Sequence, residues 1–343
     1  MTTRKLCIGF IGNGKSTNRY HLPFILSRYE TMWVKKIQAS PRSLNNWDQI
    51  EGIEYCDTTE DIFSDEDIDV VVISTPAASH FDYAMQAILA GKHCIVEKPF
   101  TNTLEEAQKL FEMAEKKGVI LQCYQNRRFD SDFLTVQKVI ESSKLGDLYE
   151  VEMHFDYYRP ETSENSKEFN PYHSFVYGHA SHTLDQAISY FGIPKNVHYD
   201  VRQLLGEGRA NDYFDFDLFY DNELKVSVKS SFFRVKSRPS FVAYGRRGIF
   251  TKQTKDRQEE DLKKFYMPNN SDFGIDRIED YGTLAYYEEN QYHEEQIVSE
   301  KGDYAYYYDA LYETIMNGKE PLVTKEQTLE VMRIMEMSLK HLK

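Results

Sequence analysis

Leu6-Cys7-Ile8-Gly9-Phe10-Ile11-Gly12-Asn13-Gly14 is the stretch on which the fold turns. Its first six residues read as a buried strand, and the two glycines follow directly, ahead of a helical pattern. In that context glycines let a backbone approach a pyrophosphate at a helix N-terminus. Lys15, Ser16 and Thr17 complete the turn, with Thr17 standing where a third glycine or an alanine is expected. Gly9, Gly14, Lys15 and Ser16 also satisfy GxxxxGKS spacing, so a P-loop triphosphatase is the competing reading. Against it, Phe10 and Ile11 carry the apolar strand through Gly9, and no later strand ends in an aspartate suited to magnesium.

Working outward, short apolar runs at 34–39, 70–74, 93–96 and 119–123 alternate with helical spacing at 21–29, 81–90 and 104–116, and Gly91 and Gly118 sit at C-cap positions. This predicts an α/β domain: a parallel sheet covered by helices on both faces, of Rossmann type. Residues 38–43, Gln-Ala-Ser-Pro-Arg-Ser, follow the second strand and hold no acid for a ribose 2′-hydroxyl. Ser40 and Arg42 suit a 2′-phosphate, which predicts a preference for NADP(H) over NAD(H).

A chain of 343 residues suits two domains, here 1–124 and 125–343. The second predicts a helix at 134–142, then strands at 148–157, 197–202, 214–220, 225–233, 240–244 and 248–252, with Tyr220-Asp221-Asn222-Glu223 as a hairpin turn. They imply an open, mainly antiparallel mixed sheet. Helices at 303–316 and 325–342 close the chain and are expected to pack back on the first domain, while 253–301 is charged, Tyr-rich and hard to read. Cys7, Cys56, Cys94 and Cys123 form no CxxC pair and read as reduced core residues. No signal or membrane segment is visible, so a cytoplasmic protein is expected. The net charge of −14 argues against a nucleic-acid partner.

From residue 69 the motifs become specific: Asp69-Val70-Val71-Val72-Ile73-Ser74-Thr75-Pro76, then His80, Ala90-Gly91-Lys92-His93, Glu97-Lys98-Pro99 and Asn126-Arg127-Arg128-Phe129. In order and spacing they resemble the Gfo/Idh/MocA oxidoreductase family, which includes glucose-fructose oxidoreductase and inositol dehydrogenases, and weaker similarity runs through the C-terminal helices. The resemblance implies a Rossmann domain followed by an α/β domain whose sheet often forms a dimer interface, hence a homodimer. It implies that Ser74 binds the cofactor, that Thr75, Pro76 and His80 line its nicotinamide side, that Glu97 and Lys98 stand by the ring with a Lys98–Pro99 peptide that can be cis, and that Asn126 is close to the carboxamide. A strand of such a sheet also delivers its C-terminal residues to the ligand crevice. There, an ammonium at Lys98 can hydrogen-bond a substrate oxygen and stabilise alkoxide-like charge.

Hydride removal from an alcohol needs a base, for which histidine is suited at neutral pH. The candidate segment is Gly178-His179-Ala180-Ser181-His182-Thr183-Leu184-Asp185. At three-residue spacing His179, His182 and Asp185 share a helix face. His182 is the expected proton acceptor, with Asp185 orienting a ring or binding a substrate hydroxyl. The family pattern often carries an aspartate four residues before this histidine, where Gly178 stands here. His173, His179, His182 and Asp185 are also metal-ligand types, yet no second ligand cluster accompanies them and no metal is assigned. Tyr157, Tyr158, Arg159, Tyr172 and His173 offer donors and aromatic faces to a sugar-like substrate. The expected function is NAD(P)-dependent hydride transfer at a hydroxyl or carbonyl carbon of a sugar, inositol or related polyol. A cofactor-binding regulatory or scaffold protein is the alternative.

Overall fold

Six short strands lie parallel in the first sheet: β1 Leu6–Ile11, β2 Met32–Gln38, β3 Glu54–Cys56, β4 Val70–Ile73, β5 His93–Val96 and β6 Leu121–Cys123. The computed structural model describes residues 4–40, 46–161 and 168–342. The spatial order is β3-β2-β1-β4-β5-β6. That order places β1 beside β4, the switch point outside whose strand ends a doubly wound sheet binds its ligand. Both strands are buried along their whole length, as a sheet covered on both faces requires. The unpredicted strand is β3, whose first two residues, Glu54 and Tyr55, are not buried and carry no apolar run to mark it.

Among the described residues, four helices belong to the same part of the chain: α1 Leu22–Leu26, α2 Glu60–Phe63, α3 His80–Leu89 and α4 Leu104–Lys117. The last shows how local sequence sets its limits. Thr103 and Glu106 form a reciprocal capping box, Gly118 ends the helix at φ 67°, and Ala107, Leu110, Phe111 and Ala114 form the buried stripe. The helix expected over 21–29 is shorter and differently entered, through a π-helical turn Ser16–His21 ahead of α1. Pro23 has no N–H to continue a ladder begun upstream and is suited only to a first turn.

This compact unit comprises Met1–Asn126, Glu260–Phe273 and Tyr304–Met332. Tyr304, Tyr307 and Tyr308 are fully buried in it. The Tyr307 hydroxyl donates to the Cys123 carbonyl at 3.0 Å, and the Phe24 ring lies 5.4 Å from Tyr304 and 6.0 Å from Phe273. All four cysteines are free and buried.

The second unit comprises Arg127–Glu259, Gly274–Asp303 and Arg333–Lys343. Its strands are β7 Leu148–His154, β8 Asn196–Arg202, β9 Tyr213–Phe219, β10 Lys225–Ser231, β11 Phe241–Gly245, β12 Gly248–Lys252, β13 Gly282–Glu288 and β14 Gln291–Ile297, in the order β14-β13-β12-β11-β7-β10-β9-β8. Only β7 and β10 pair in parallel. Helices α5 Ser131–Glu141 and α6 Ser181–Phe191 pack on one face. Period-two alternation explains the two faces. Along β9, Phe214, Phe216 and Leu218 are buried while Tyr213, Asp215 and Asp217 are half-buried on the other side. Across that open face Lys225 pairs with Glu150 at 2.6 Å and Lys229 with Asp215 at 3.2 Å. Strands β13 and β14 fill the stretch that sequence reading left open, because in β14 no residue is buried. No helix among the described residues is long and apolar enough to cross a membrane.

Candidate active site

Two glycines shape the turn after β1 for different reasons. Gly12 has φ +105°, and a Cβ there would lie 2.7 Å from the Ser74 carbonyl oxygen, so only glycine fits where the turn passes the end of β4. A Cβ on Gly14 would meet nothing within 4 Å. Packing therefore does not demand that glycine; its bareness keeps backbone accessible, and the cradle fits an approaching pyrophosphate. Thr17, the departure from the usual third small residue, is buried and donates to the Gly12 carbonyl at 2.7 Å while bonding the Ser74 hydroxyl. It ties the turn to β4, a task that glycine or alanine could not perform. Asn18 donates to the Asn13 side chain at 2.8 Å and to the Gly14 carbonyl at 2.9 Å, while Lys15 is exposed and Ser16 half-buried. Gly9 lies inside β1, paired with Lys36 and Val71, and its Cβ would stand 2.8 Å from Ile62. It is a packing glycine, which removes the P-loop reading.

At the end of β5, Glu97 is buried and its N–H donates to the Ile73 carbonyl at 3.0 Å. The carboxylate gathers three partners: the Ser16 hydroxyl, His21 Nε2 at 3.0 Å, and the Lys98 N–H at 2.9 Å. Burial pushes this carboxyl up, but the hydrogen bond and charge of His21, the Ser16 hydroxyl and the Lys98 charge outweigh it and hold the pKa at about 2. His21 is itself fully buried, stacked on Tyr124 at 3.9 Å, with Nδ1 on the Tyr308 hydroxyl. Nothing local in the sequence marks it, since its partners stand far along the chain. Lys98 is half-buried and its peptide to Pro99 is cis. His80 is buried with Nδ1 2.9 Å from the Pro99 carbonyl and Nε2 2.9 Å from the Thr75 carbonyl. Its ring clamps the loops after β4 and β5 to each other. Ser74 and Asn126 are buried, Thr75 is half-buried, and Pro76 and Ser40 are exposed; Arg42 lies outside the described residues.

In the second unit, the helix expected through 179–185 begins as a π-helical turn Val176–Ala180 and becomes regular only at α6. His182 is buried in the first turn of α6. His179 lies in an aromatic cage, with ring centroids at 4.6 Å from Phe175, 5.0 Å from Tyr157 and 6.0 Å from Phe232. Asp185 is fully buried, and both its oxygens accept from Arg128, at 2.8 and 2.7 Å. Burial raises its carboxyl pKa and Arg128 opposes the rise. Sequence reading aimed Asp185 at a ring or a substrate hydroxyl; in the structure its carboxylate is held by the bidentate Arg128 pair, which anchors α6. A cavity of about 340 Å³ is lined by Arg159, His173, Phe175, Gly178, His179 and Asn211, among others. Arg159 is exposed, with its guanidinium carbon 4.1 Å from the centroid of the Tyr157 ring, and Tyr158 is 59% exposed, bridged to Phe233. Lys255, which sequence reading missed, holds its ammonium 3.9 Å from the Phe155 centroid and 4.5 Å from that of Tyr157. Burial and nearby Arg127 lower its pKa to about 8. Among the described residues, no three His, Cys, Asp or Glu side chains gather as a metal site.

A family model described as an oxidoreductase family with an NAD-binding Rossmann fold matches residues 6–125, and the model of that family's C-terminal alpha/beta domain matches residues 137–341. The uncharacterized oxidoreductase YhhX of Escherichia coli is 42% identical over 329 residues, covering 95% of this chain and 94% of its own. The Bacillus subtilis protein IolW, a scyllo-inositol 2-dehydrogenase (NADP(+)), is 32% identical over 335 residues, covering 97% and 92%. The crystal structure of an oxidoreductase from Bacillus cereus superposes with a TM-score of 0.91 at 40% identity, covering 97% of this chain and 95% of that one.

Proposed function

Because the chain belongs to the Gfo/Idh/MocA oxidoreductase family, we propose that it transfers hydride between NADP(H) and the hydroxyl-bearing or carbonyl carbon of a sugar, inositol or related polyol. The observation that carries this reading is the junction after β5, where buried Glu97 is fixed by Ser16 and His21 and Lys98 follows it at the carboxyl edge of the sheet. The nicotinamide, when bound, supplies the hydride acceptor or donor. Gly12, Asn13 and Gly14 offer backbone to the pyrophosphate, and Ser40 with Arg42 supports a 2′-phosphate. Lys98 donates a hydrogen bond to the substrate oxygen and stabilises the negative charge that grows there as hydride leaves carbon. His182 exchanges the hydroxyl proton. Asp185 serves indirectly, by holding α6 through Arg128. His179, Tyr158 and Arg159 supply polar contacts to substrate hydroxyls. A relative named for scyllo-inositol and NADP(+) supports both the polyol class and the cofactor.

The test is a panel of inositols, sugars and polyols with NADP(+), and of the matching ketones with NADPH, followed by absorbance of the reduced nicotinamide. Turnover on a cyclic or open-chain polyol supports the proposal. Gly178 motivates a second reading, a cofactor-binding protein without efficient chemistry. Tight NADPH binding with no turnover anywhere on the panel would favour it.

A further inference from the structure

Arg19 stands out in an acidic chain. The Arg28, Arg127, Arg128, Arg202 and Arg238 guanidinium groups are all paired with carboxylates. Arg19 has neither hydrogen bond nor ion pair among the described residues, and its Nε is buried without a partner. It is nevertheless held in place: the guanidinium carbon lies 5.6 Å from the ring of Trp47 and 5.2 Å from that of Phe265, and these two rings are 6.3 Å apart. Cation–π contact with two rings holds a guanidinium without using its N–H donors, which leaves them for an anion such as a phosphate. A buried N–H left unmet costs stability, so its retention asks for an acceptor from outside the chain.

The location says which acceptor. Arg19 is in the turn Ser16–His21 directly after the glycine turn, and the Gly12 N–H bonds the Gln38 carbonyl at the end of β2. Trp47 lies on the segment that runs from β2 to β3. The cluster therefore flanks the β2 side of the strand ends, while Glu97 and Lys98 follow β5 on the opposite side of β1. In a doubly wound sheet the end of β2 is where the adenosine ribose is read. Resting on the dinucleotide reading above, we infer that Arg19, braced by Trp47 and Phe265, binds the 2′-phosphate of NADP(H) and sets the preference for it over NAD(H).

The experiment is equilibrium titration of the full-length protein with NADPH and NADH, and with the fragments 2′,5′-ADP and 5′-AMP, for wild type, Arg19→Met and Arg19→Lys, each checked by thermal unfolding. Wild type should bind the 2′-phosphorylated member of each pair more tightly. Arg19→Met, which keeps an apolar stem beside the two rings, should cut that selectivity by about tenfold or more, and Arg19→Lys should fall between. Should Arg19→Met unfold, a loss of selectivity in folded Arg19→Lys supports the inference and wild-type selectivity overturns it. Selectivity unchanged in a folded Met variant overturns this inference and leaves hydride transfer standing, as does wild type binding NADH as tightly as NADPH. Failure of wild type to bind either dinucleotide overturns both.

Discussion

Lys98 and Glu97 are neighbours with opposite duties. In the proposed reaction Lys98 acts on charge that exists only as hydride departs, so Lys98→Ala should lower kcat about 10²–10³-fold while the cofactor Kd changes only a few-fold. Steady-state kinetics beside a cofactor titration measures both, and an unchanged kcat would remove Lys98 from the chemistry. Glu97 holds the site together. Its carboxyl is depressed from 4.5 to about 2 in the fold, so its stabilisation is fully present above pH 4.5 and is lost as pH falls toward 2. The shift corresponds to about 3 kcal/mol. Glu97→Gln should therefore be less stable than wild type at neutral pH and show a shallower loss between pH 4.5 and 2, read from urea unfolding at a series of pH values. Equal slopes for the two proteins would show that the carboxylate is not ionised against its neighbours as described.

Among the elements, the glycine turn separates fold from ligand binding. Gly12→Ala forces a Cβ into 2.7 Å of the Ser74 carbonyl at a positive φ and should lower the melting temperature as well as cofactor affinity. Gly14→Ala meets no protein atom within 4 Å and should melt as wild type does while losing affinity for NADPH. Matching affinities in the Gly14 variant would show that the bare backbone is not used. Gly178 offers the converse change. A Cβ there has open space and no positive φ, so Gly178→Asp should fold normally and place a carboxylate four residues before His182, with kcat rising about tenfold or more if the family's acid assists the base. A folded variant with unchanged or lower kcat would show that this chain works without it. The same elements explain what could be read beforehand. Strands β1, β4 and β5 and helix α4 were legible because each carries its own signal: an unbroken apolar run, or caps around an apolar stripe. His21, Arg128, Arg19 and Lys255 were not, because their meaning lies in partners distant in sequence: Glu97 and Tyr308, Asp185, Phe265, and Phe155. Strands β13 and β14 were missed because solvent-facing Tyr, Glu and His blur the alternation that would have marked them.

For the whole molecule, the open face of the eight-stranded sheet is the feature that asks for a partner. Tyr213, Asp215, Asp217 and Lys229 stand there half-buried between charged ladders rather than fully solvated. We propose that this face meets its copy in a homodimer, the arrangement that the family resemblance implies. Light scattering after size exclusion should then give twice the chain mass of 40.3 kDa, and Lys229→Glu together with Tyr244→Asp, whose position in β11 is paired with Glu150 of β7, should shift it to monomer. A wild-type monomer at micromolar concentration would reject the arrangement. The interleaving of the first unit reaches further, into how the protein is made. Residues 304–332 complete a core that begins at β1, and Tyr307 and Tyr308 cover Cys123 and His21. Residues 304–332 leave the ribosome long after β6, so the nucleotide-binding sheet emerges with Phe24, Tyr124 and His21 still uncovered and must wait for that later segment. A premature stop just ahead of residue 304 would thus strike the domain whose sheet was made first.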